Sequence, residues 1–271
     1  MRRSHLRWIV GMLMLFCVII ISWKPANTVK TNIYKTTAKA VLPHSSGTKE
    51  AFAQYIANIY NTANLEQSGL DLSVFQKAVT GYLNLKLNNR LLSSNYITVV
   101  DFTKSSRTKR MWVIDVLNKA LVLNTWVAHG QGSGGDMADK FSNNNESHQS
   151  SLGFYLTDDV YFGKHGRSLR LNGLDAGVNS AARARGIVIH AADYVCQNTI
   201  NQLGRLGRSF GCPAVTPELS DKIINTIKGG SVLFINGNDN KYSSKLLDES
   251  APGNFIASTV TSTDSVATEK L

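Results

Sequence analysis

Apolar positions along this chain change their spacing twice. Within residues 51–89 they recur at helical intervals: Phe52, Ile56, Ile59 and Tyr60 on one stretch, then Leu72, Phe75, Val79, Tyr82 and Leu83 on the next, with Asp71 placed to cap the second. The pattern predicts two amphipathic helices, in a helical part of residues 51–95, packing on the domain that follows. From residue 96 short β-branched runs take over. Residues 97–102, 110–116 and 120–127 predict three strands. The last two are joined by Leu117-Asn118-Lys119, a link of hairpin length that makes them antiparallel neighbours. Further strands are predicted at 153–157, 168–172, 186–190 and 231–236, and helices at 191–203 and 217–228. For the latter, Thr216 suits the cap, Pro217 the first turn and Gly229 the stop. The expected fold class is α+β: a β-rich domain over 96–237 with helices before it. Beyond residue 237 the chain is polar without a core pattern, and 238–271 is expected to be a disordered tail.

The N-terminal end follows other rules. Arg2, Arg3 and Arg7 precede an unbroken apolar run over 8–21, the layout of an export signal. Trp23, Lys24 and Pro25 follow Ser22 where a small-x-small cleavage site would stand, so residues 1–23 read either as a signal peptide or as an uncleaved anchor in the inner membrane. The run is shorter than the roughly 20 residues of a comfortable span. Residues 24–50, rich in Thr, Ser, Lys and Ala, read as a flexible tether. Export would place the protein in the periplasm or cell wall.

The chain has 271 residues, 43% of them hydrophobic, enough for one sizeable core. Its formal charge of +10, from 29 basic against 19 acidic residues, favours polyanionic surroundings such as anionic lipid or acidic wall polymers. There is no arginine-rich run and no RNA-binding aromatic motif, and no nucleic-acid partner is expected.

The chemistry-bearing stretch is 186–213. An apolar run, Ile187-Val188-Ile189, ends on His190, and the turn Gly207-Arg208-Ser209-Phe210-Gly211-Cys212-Pro213 follows about twenty residues later. Pro213 pushes Cys212 toward extended geometry while Gly211 can take a positive φ, so the thiol is held at a sharp turn beside backbone N–H groups. A thiolate is the strong sulfur nucleophile, and a histidine in reach can generate it, so Cys212 and His190 read as an acyl-transfer pair. Asp193, Asp175 or a backbone carbonyl could orient His190. Cys196 reads as a small apolar residue on the following helix; a Cys196–Cys212 disulfide is the alternative in an oxidising compartment.

The string Ser209-Phe210-Gly211-Cys212, with a histidine upstream at a strand end, resembles the S-x-G-C signature of the L,D-transpeptidases of bacterial cell walls. The longer string from Gly207 to Ala214 resembles one branch, the murein L,D-transpeptidase catalytic domain family. So do Val127-Ala128-His129-Gly130, Phe141-Ser142-Asn143, Ser150-Ser151-Leu152-Gly153-Phe154-Tyr155, His165-Gly166 and Asn172-Gly173-Leu174. The resemblance covers about residues 96–236. It implies an L,D-transpeptidase fold with Cys212 as nucleophile, His190 as base and Ser209 and Gly211 shaping the catalytic turn. His129, Gly130, His165, Arg167 and Arg208 would meet substrate, the peptide stem of peptidoglycan, and no cofactor is required. His129 has an alternative reading, a histidine that only bonds the loop backbone. The commoner family pattern carries an arginine two positions after the cysteine, where this chain has Ala214. Arg208, Arg167 and Arg170 are the candidates to replace it, Arg208 first because it adjoins the nucleophile turn.

The same residues admit rival readings. Gly130-Gln131-Gly132-Ser133-Gly134-Gly135 satisfies G-x-G-x-x-G, but no helix pattern follows, so a mobile loop beside the cleft is expected rather than a dinucleotide site. His129 and Asp136 have the H-x6-D spacing of some zinc-dependent wall peptidases, yet the second close histidine is missing and no metal is expected. An inactive wall-binding module would not be expected to keep both Cys212 and His190. Hydrolysis of the same thioester would make the activity L,D-carboxypeptidation.

Overall fold

The two helical stretches form as their apolar spacing requires. In the computed structural model, which describes residues 45–91 and 95–268, α1 spans Ser45–Thr62 and α2 spans Leu72–Leu87. Residues 45–50 therefore belong to a helix and not to the expected tether. The remainder of that tether and the basic-apolar segment 1–23 lie outside the described residues. Asp71 stands at the N-cap of α2, but its carboxylate pairs with Lys104 at 3.1 Å and makes no capping bond. Among the described residues, no helix is long and apolar enough to cross a membrane.

Among the described residues nine strands form one mixed sheet: β1 (Tyr96–Asp101), β2 (Met111–Asp115), β3 (Ala120–Thr125), β4 (Val127–Ala128), β5 (Gly153–Gly163), β6 (Gly166–Gly173), β7 (Val188–Ala191), β8 (Ala214–Val215) and β9 (Val232–Asn236). Their spatial order is β3-β2-β1-β9-β5-β6-β7-β8-β4. The expected hairpin is present, with β2 and β3 antiparallel and Lys119 at φ 50° in its turn. β1 and β9 pair in parallel, the first and last strands meeting in mid-sheet. β3 and β4 stand at opposite ends of the order, yet Trp126 alone separates them in sequence. One residue spans at most about 3.6 Å, so the sheet must curl until its two ends nearly meet.

A curled sheet has an inside and an outside, and period-two alternation assigns residues to each. Ile97, Val99, Trp112, Ile114, Val232 and Phe234 join the apolar faces of α1 and α2 in one core. Val100, Met111, Val113, Leu233 and Ile235 turn to a second core, which helix α4 (Pro217–Ile227) closes with Ile223, Ile224 and Ile227. Burial on both faces explains why β1, β2 and β9 read as near-continuous apolar runs.

Two expectations require correction. The helix predicted at 191–203 shrinks to α3 (Gln197–Leu203), because Ala191 continues β7 to pair with Val215. The tail beyond residue 237 is ordered through 268: a short 3-10 turn (Lys245–Leu247) leads into α5 (Ser250–Thr268). Its anchors are polar, which is why an apolar pattern did not reveal it. Asn84 Nδ2 donates to the carbonyls of Leu246 and Asp248, and Tyr242 and Ser244 hydroxyls donate to buried Asp175. Ile256 then completes the core of α1 and α2.

Candidate active site

Strand register brings the two candidate catalytic residues into one neighbourhood. β7 and β8 run parallel with His190 beside Ala214, so Cys212, two positions before Ala214, falls alongside Val188. The Val188 N–H points at Cys212 Sγ at 3.5 Å, and the thiol lies 3.6 Å from the Gly186 carbonyl. Cys212 and His190 open into the same cavity of about 410 Å³, shared with Tyr194, Arg185, Lys164 and His165.

The turn carrying the thiol is held from three sides. Ser209 Oγ accepts from the Gly211 N–H at 3.0 Å and donates to the Cys212 carbonyl at 2.6 Å, so one hydroxyl fixes both ends. The Ser209 N–H donates to the His129 carbonyl, and the Gln131 N–H donates to the Ser209 carbonyl. Ser150 Oγ accepts from the Gly130 N–H and donates to the Gly211 carbonyl. Gly211 takes φ 123°, and a Cβ there would stand 2.8 Å from the Gln149 carbonyl, so conformation and space both demand glycine.

His190 is oriented by a backbone carbonyl, not by Asp193 or Asp175. Its Nδ1 lies 2.8 Å from the Ala191 oxygen, so Nδ1 carries the proton and Nε2 is left as the basic nitrogen. His165, at the tip of the β5–β6 hairpin, stacks on the His190 ring at 4.4 Å. Burial lowers the His190 pKa from its ordinary 6.5, countered by the Ala191 carbonyl and reinforced by His165 and Lys164. Burial likewise raises the Cys212 thiol above its ordinary value, against the pull of the Val188 N–H, Arg185 and Lys164. The resting pair is thus thiol and neutral imidazole, rather than the ready thiolate that the sequence suggests. Cys196 and Cys212 are both free, and the Cys196 thiol contacts Thr199 Oγ1 at 3.3 Å.

The remaining candidates divide. Arg208 lines the cavity, its Nη1 on the Gly134 carbonyl at 2.7 Å. Arg167 does not: its guanidinium is held by Asp221 and Asn225 on α4, and Arg170 pairs with Asp159. His129 is also not a groove residue. It is 1% exposed, with Nδ1 at 2.7 Å from Arg110 Nη2 and its ring edge-on to Phe102. Burial and the Arg110 charge lower its pKa to about 4. Gly130 serves through its backbone, since a Cβ would stand 2.3 Å from the His148 carbonyl.

The glycine-rich loop is tied down, contrary to expectation. Gln131–Ser133 form a 3-10 turn bonded to Ser209 and His148, and buried Ser133 accepts from the N–H groups of Asp139, Lys140 and Ser150 through its carbonyl and hydroxyl. Asp136 is occupied by Ser105, Ser106 and Arg107. Among the described residues, no three His, Cys, Asp or Glu side chains are grouped to hold a metal.

Sequence reasoning missed Arg185. Its Nη1 donates to the Ser142 carbonyl and Ser151 Oγ, and its Nη2 to Ser147 Oγ and the Gln149 carbonyl, drawing segment 142–151 under the Cys212 turn. The only available signal was its place just before Gly186, in a basic, alanine-rich stretch that looks like surface.

The architecture is thus a sheet-rich α+β domain with a cysteine and a histidine facing one cavity. The sequence model of the L,D-transpeptidase catalytic domain matches residues 66–236, and the chain belongs to that family. No curated protein matches the sequence. Solved structures with similar coordinates include an L,D-transpeptidase from Mycobacterium smegmatis, at 12% identity and TM-score 0.33 over 53% of this chain and 59% of that one. Another is the L,D-transpeptidase of Stackebrandtia nassauensis, at 12% identity and TM-score 0.34 over 62% and 69%. A third is the helical cell shape determining protein Pgp2 of Campylobacter jejuni, at 15% and 0.36 over 67% and 60%. The chain spans less than two thirds of the Mycobacterium smegmatis structure.

Proposed function

We propose that this chain is a cysteine-dependent L,D-transpeptidase acting on peptidoglycan stem peptides. The observation that carries the reading is the pairing of β7 with β8, which sets the Cys212 thiol and the His190 ring in one cavity with the His190 Nδ1 proton fixed on Ala191. In the proposed cycle His190 Nε2 takes the thiol proton as Sγ attacks the carbonyl carbon of the L-centre of the diamino acid, typically meso-diaminopimelate. The Cys212 N–H is the donor offered to the oxyanion, since Ser209 occupies that of Gly211. Collapse breaks the peptide bond, His190 returns the proton to the departing D-alanine amine, and a thioester remains. An amine of a second stem then loses its proton to His190, displaces the thiol and forms a 3–3 cross-link.

The basic and apolar stretch of residues 1–23 supports export to the compartment that holds this substrate, with the inner membrane as the anchor if the stretch is retained. The test is intact mass spectrometry of purified protein with a tetrapeptide stem. The wild type should show one acyl adduct, on Cys212, and products should contain the 3–3 linkage. Cys212→Ala should give neither, while His190→Ala should slow acylation at least about a hundredfold. Turnover by Cys212→Ala would end the proposal, and products made only by hydrolysis would reassign it to L,D-carboxypeptidation.

A further inference from the structure

The charges around the cavity are unevenly partnered. Four arginines on the described surface outside the cavity have acidic counterparts: Arg107 with Asp136, Arg167 with Asp221, Arg170 with Asp159 and Arg183 with Asp158. In the cavity the pattern reverses. Lys164, Arg185 and Arg208 all line it, and no Asp or Glu does. Among the described residues none of the three takes part in an ion pair. Arg208 is held by neutral carbonyls of Gln131 and Gly134, and the four acceptors of Arg185 are two carbonyls and two serine hydroxyls.

Hydrogen bonds to neutral oxygens fix a guanidinium in place without neutralising it. Two fixed guanidiniums and the Lys164 ammonium in a concave site therefore leave a positive field that only an incoming anion can compensate. The thiol is not that anion at rest, because burial keeps it protonated. The division of labour follows from geometry. Arg185, with both terminal nitrogens committed, contributes its charge. Arg208 keeps Nη2 and Nε for a carboxylate, and Lys164, on the β5–β6 hairpin beside His165, offers a flexible ammonium.

We propose that the cleft selects its acyl donor by negative charge, taking stem peptides with free carboxylates flanking the reacting centre in preference to the same peptides with those groups as carboxamides. This rests on the functional reading above, of which it specifies the substrate class.

Binding tests it separately from catalysis. Calorimetry with Cys212→Ala protein compares two tetrapeptide stems, identical except that the side carboxylates of the γ-linked glutamate and the diaminopimelate are free in one and amidated in the other. At about 0.1 M salt the acid form should bind at least tenfold more tightly. The preference should shrink severalfold at about 1 M salt, where the Debye length falls from about 10 Å to about 3 Å. Adding Lys164→Gln or Arg208→Gln should each reduce the preference about threefold, whereas Arg183→Gln, ion-paired outside the cavity, should leave it intact. Equal affinity for the two peptides, or no detectable binding of either, would overturn the proposal. So would a preference that survives both cavity variants. Discrimination in binding with no acylation of the wild type would instead uphold charge selection and refute the transpeptidase reading.

Discussion

His129 should give this protein a specific sensitivity to acid. The side chain is 1% exposed and lies 2.7 Å from the Arg110 guanidinium. Its pKa drops from the ordinary 6.5 to about 4, through burial first and the Arg110 charge second. Above pH 6.5 the ring is neutral whether the chain is folded or not, and the site is neutral with respect to pH. Between 6.5 and 4 the unfolded chain binds a proton that the folded chain refuses, so stability falls as pH falls. The loss levels off below pH 4 at about 3 kcal/mol, because each pH unit crossed between those two values costs about 1.4 kcal/mol. For a domain of this size that corresponds to roughly 6–12 °C in melting temperature. His129→Gln keeps an acceptor for Arg110 but cannot titrate. Urea unfolding at half-unit steps from pH 7.5 to 4 should give a wild-type curve that falls more steeply than the variant's. His190, also shifted downward, contributes equally to both curves, and the lowered carboxylates Asp136 and Asp158 act only below their ordinary 3.8. Parallel curves for the two proteins would refute the argument.

Three further outcomes are expected. Arg208→Lys should depress acylation of a carboxylate-bearing stem more than Arg167→Lys, because Arg208 lines the cavity while Arg167 is engaged with Asp221 and Asn225; equal kinetics would remove Arg208 from substrate recognition. The acid limb of the acylation rate should lie below pH 6.5, and Lys164→Ala should move it upward by removing a charge that opposes imidazolium formation; a downward shift would contradict that sign. Asn84→Ala removes two part-buried hydrogen bonds to the C-terminal segment and should cost about 1–3 kcal/mol, with limited proteolysis newly cutting beyond residue 237. Unchanged protease resistance would mean that α5 holds without that anchor.

The sequence revealed what local chemistry determines. Helical spacing located α1 and α2, alternation located the strands, and Gly211 and Pro213 marked the turn at Cys212. It could not reveal what depends on distant partners. The tail is ordered by Asn84, which lies 162 residues from its acceptor on Leu246. Arg185 is defined by contacts 34 to 43 residues upstream, and the burial of His129 by an arginine 19 positions before it. Each of these is a polar residue whose partner lies on another element. Composition alone assigns such residues to the surface, since lysines, arginines and asparagines are mostly found there.

The near-closure of the sheet also sets the order in which the thiol acquires its surroundings. The β2–β3 and β5–β6 hairpins join neighbours in sequence, but β4 must find β8 across the separation from Val127 to Val215, and Ser150 must reach Gly211. Closing long loops costs entropy before contacts repay it, so such pairings form slowly. The bracing of the Cys212 turn by β4 and Ser150 is accordingly among the late steps of refolding. In stopped-flow refolding, circular dichroism should therefore recover before native reactivity of Cys212 toward an acylating probe. Simultaneous recovery would place the turn among the early contacts. Val188 and Cys212 are only 24 residues apart, so the thiol can come alongside β7 and His190 before its turn is braced, and during that interval it has its partner without its fixed geometry.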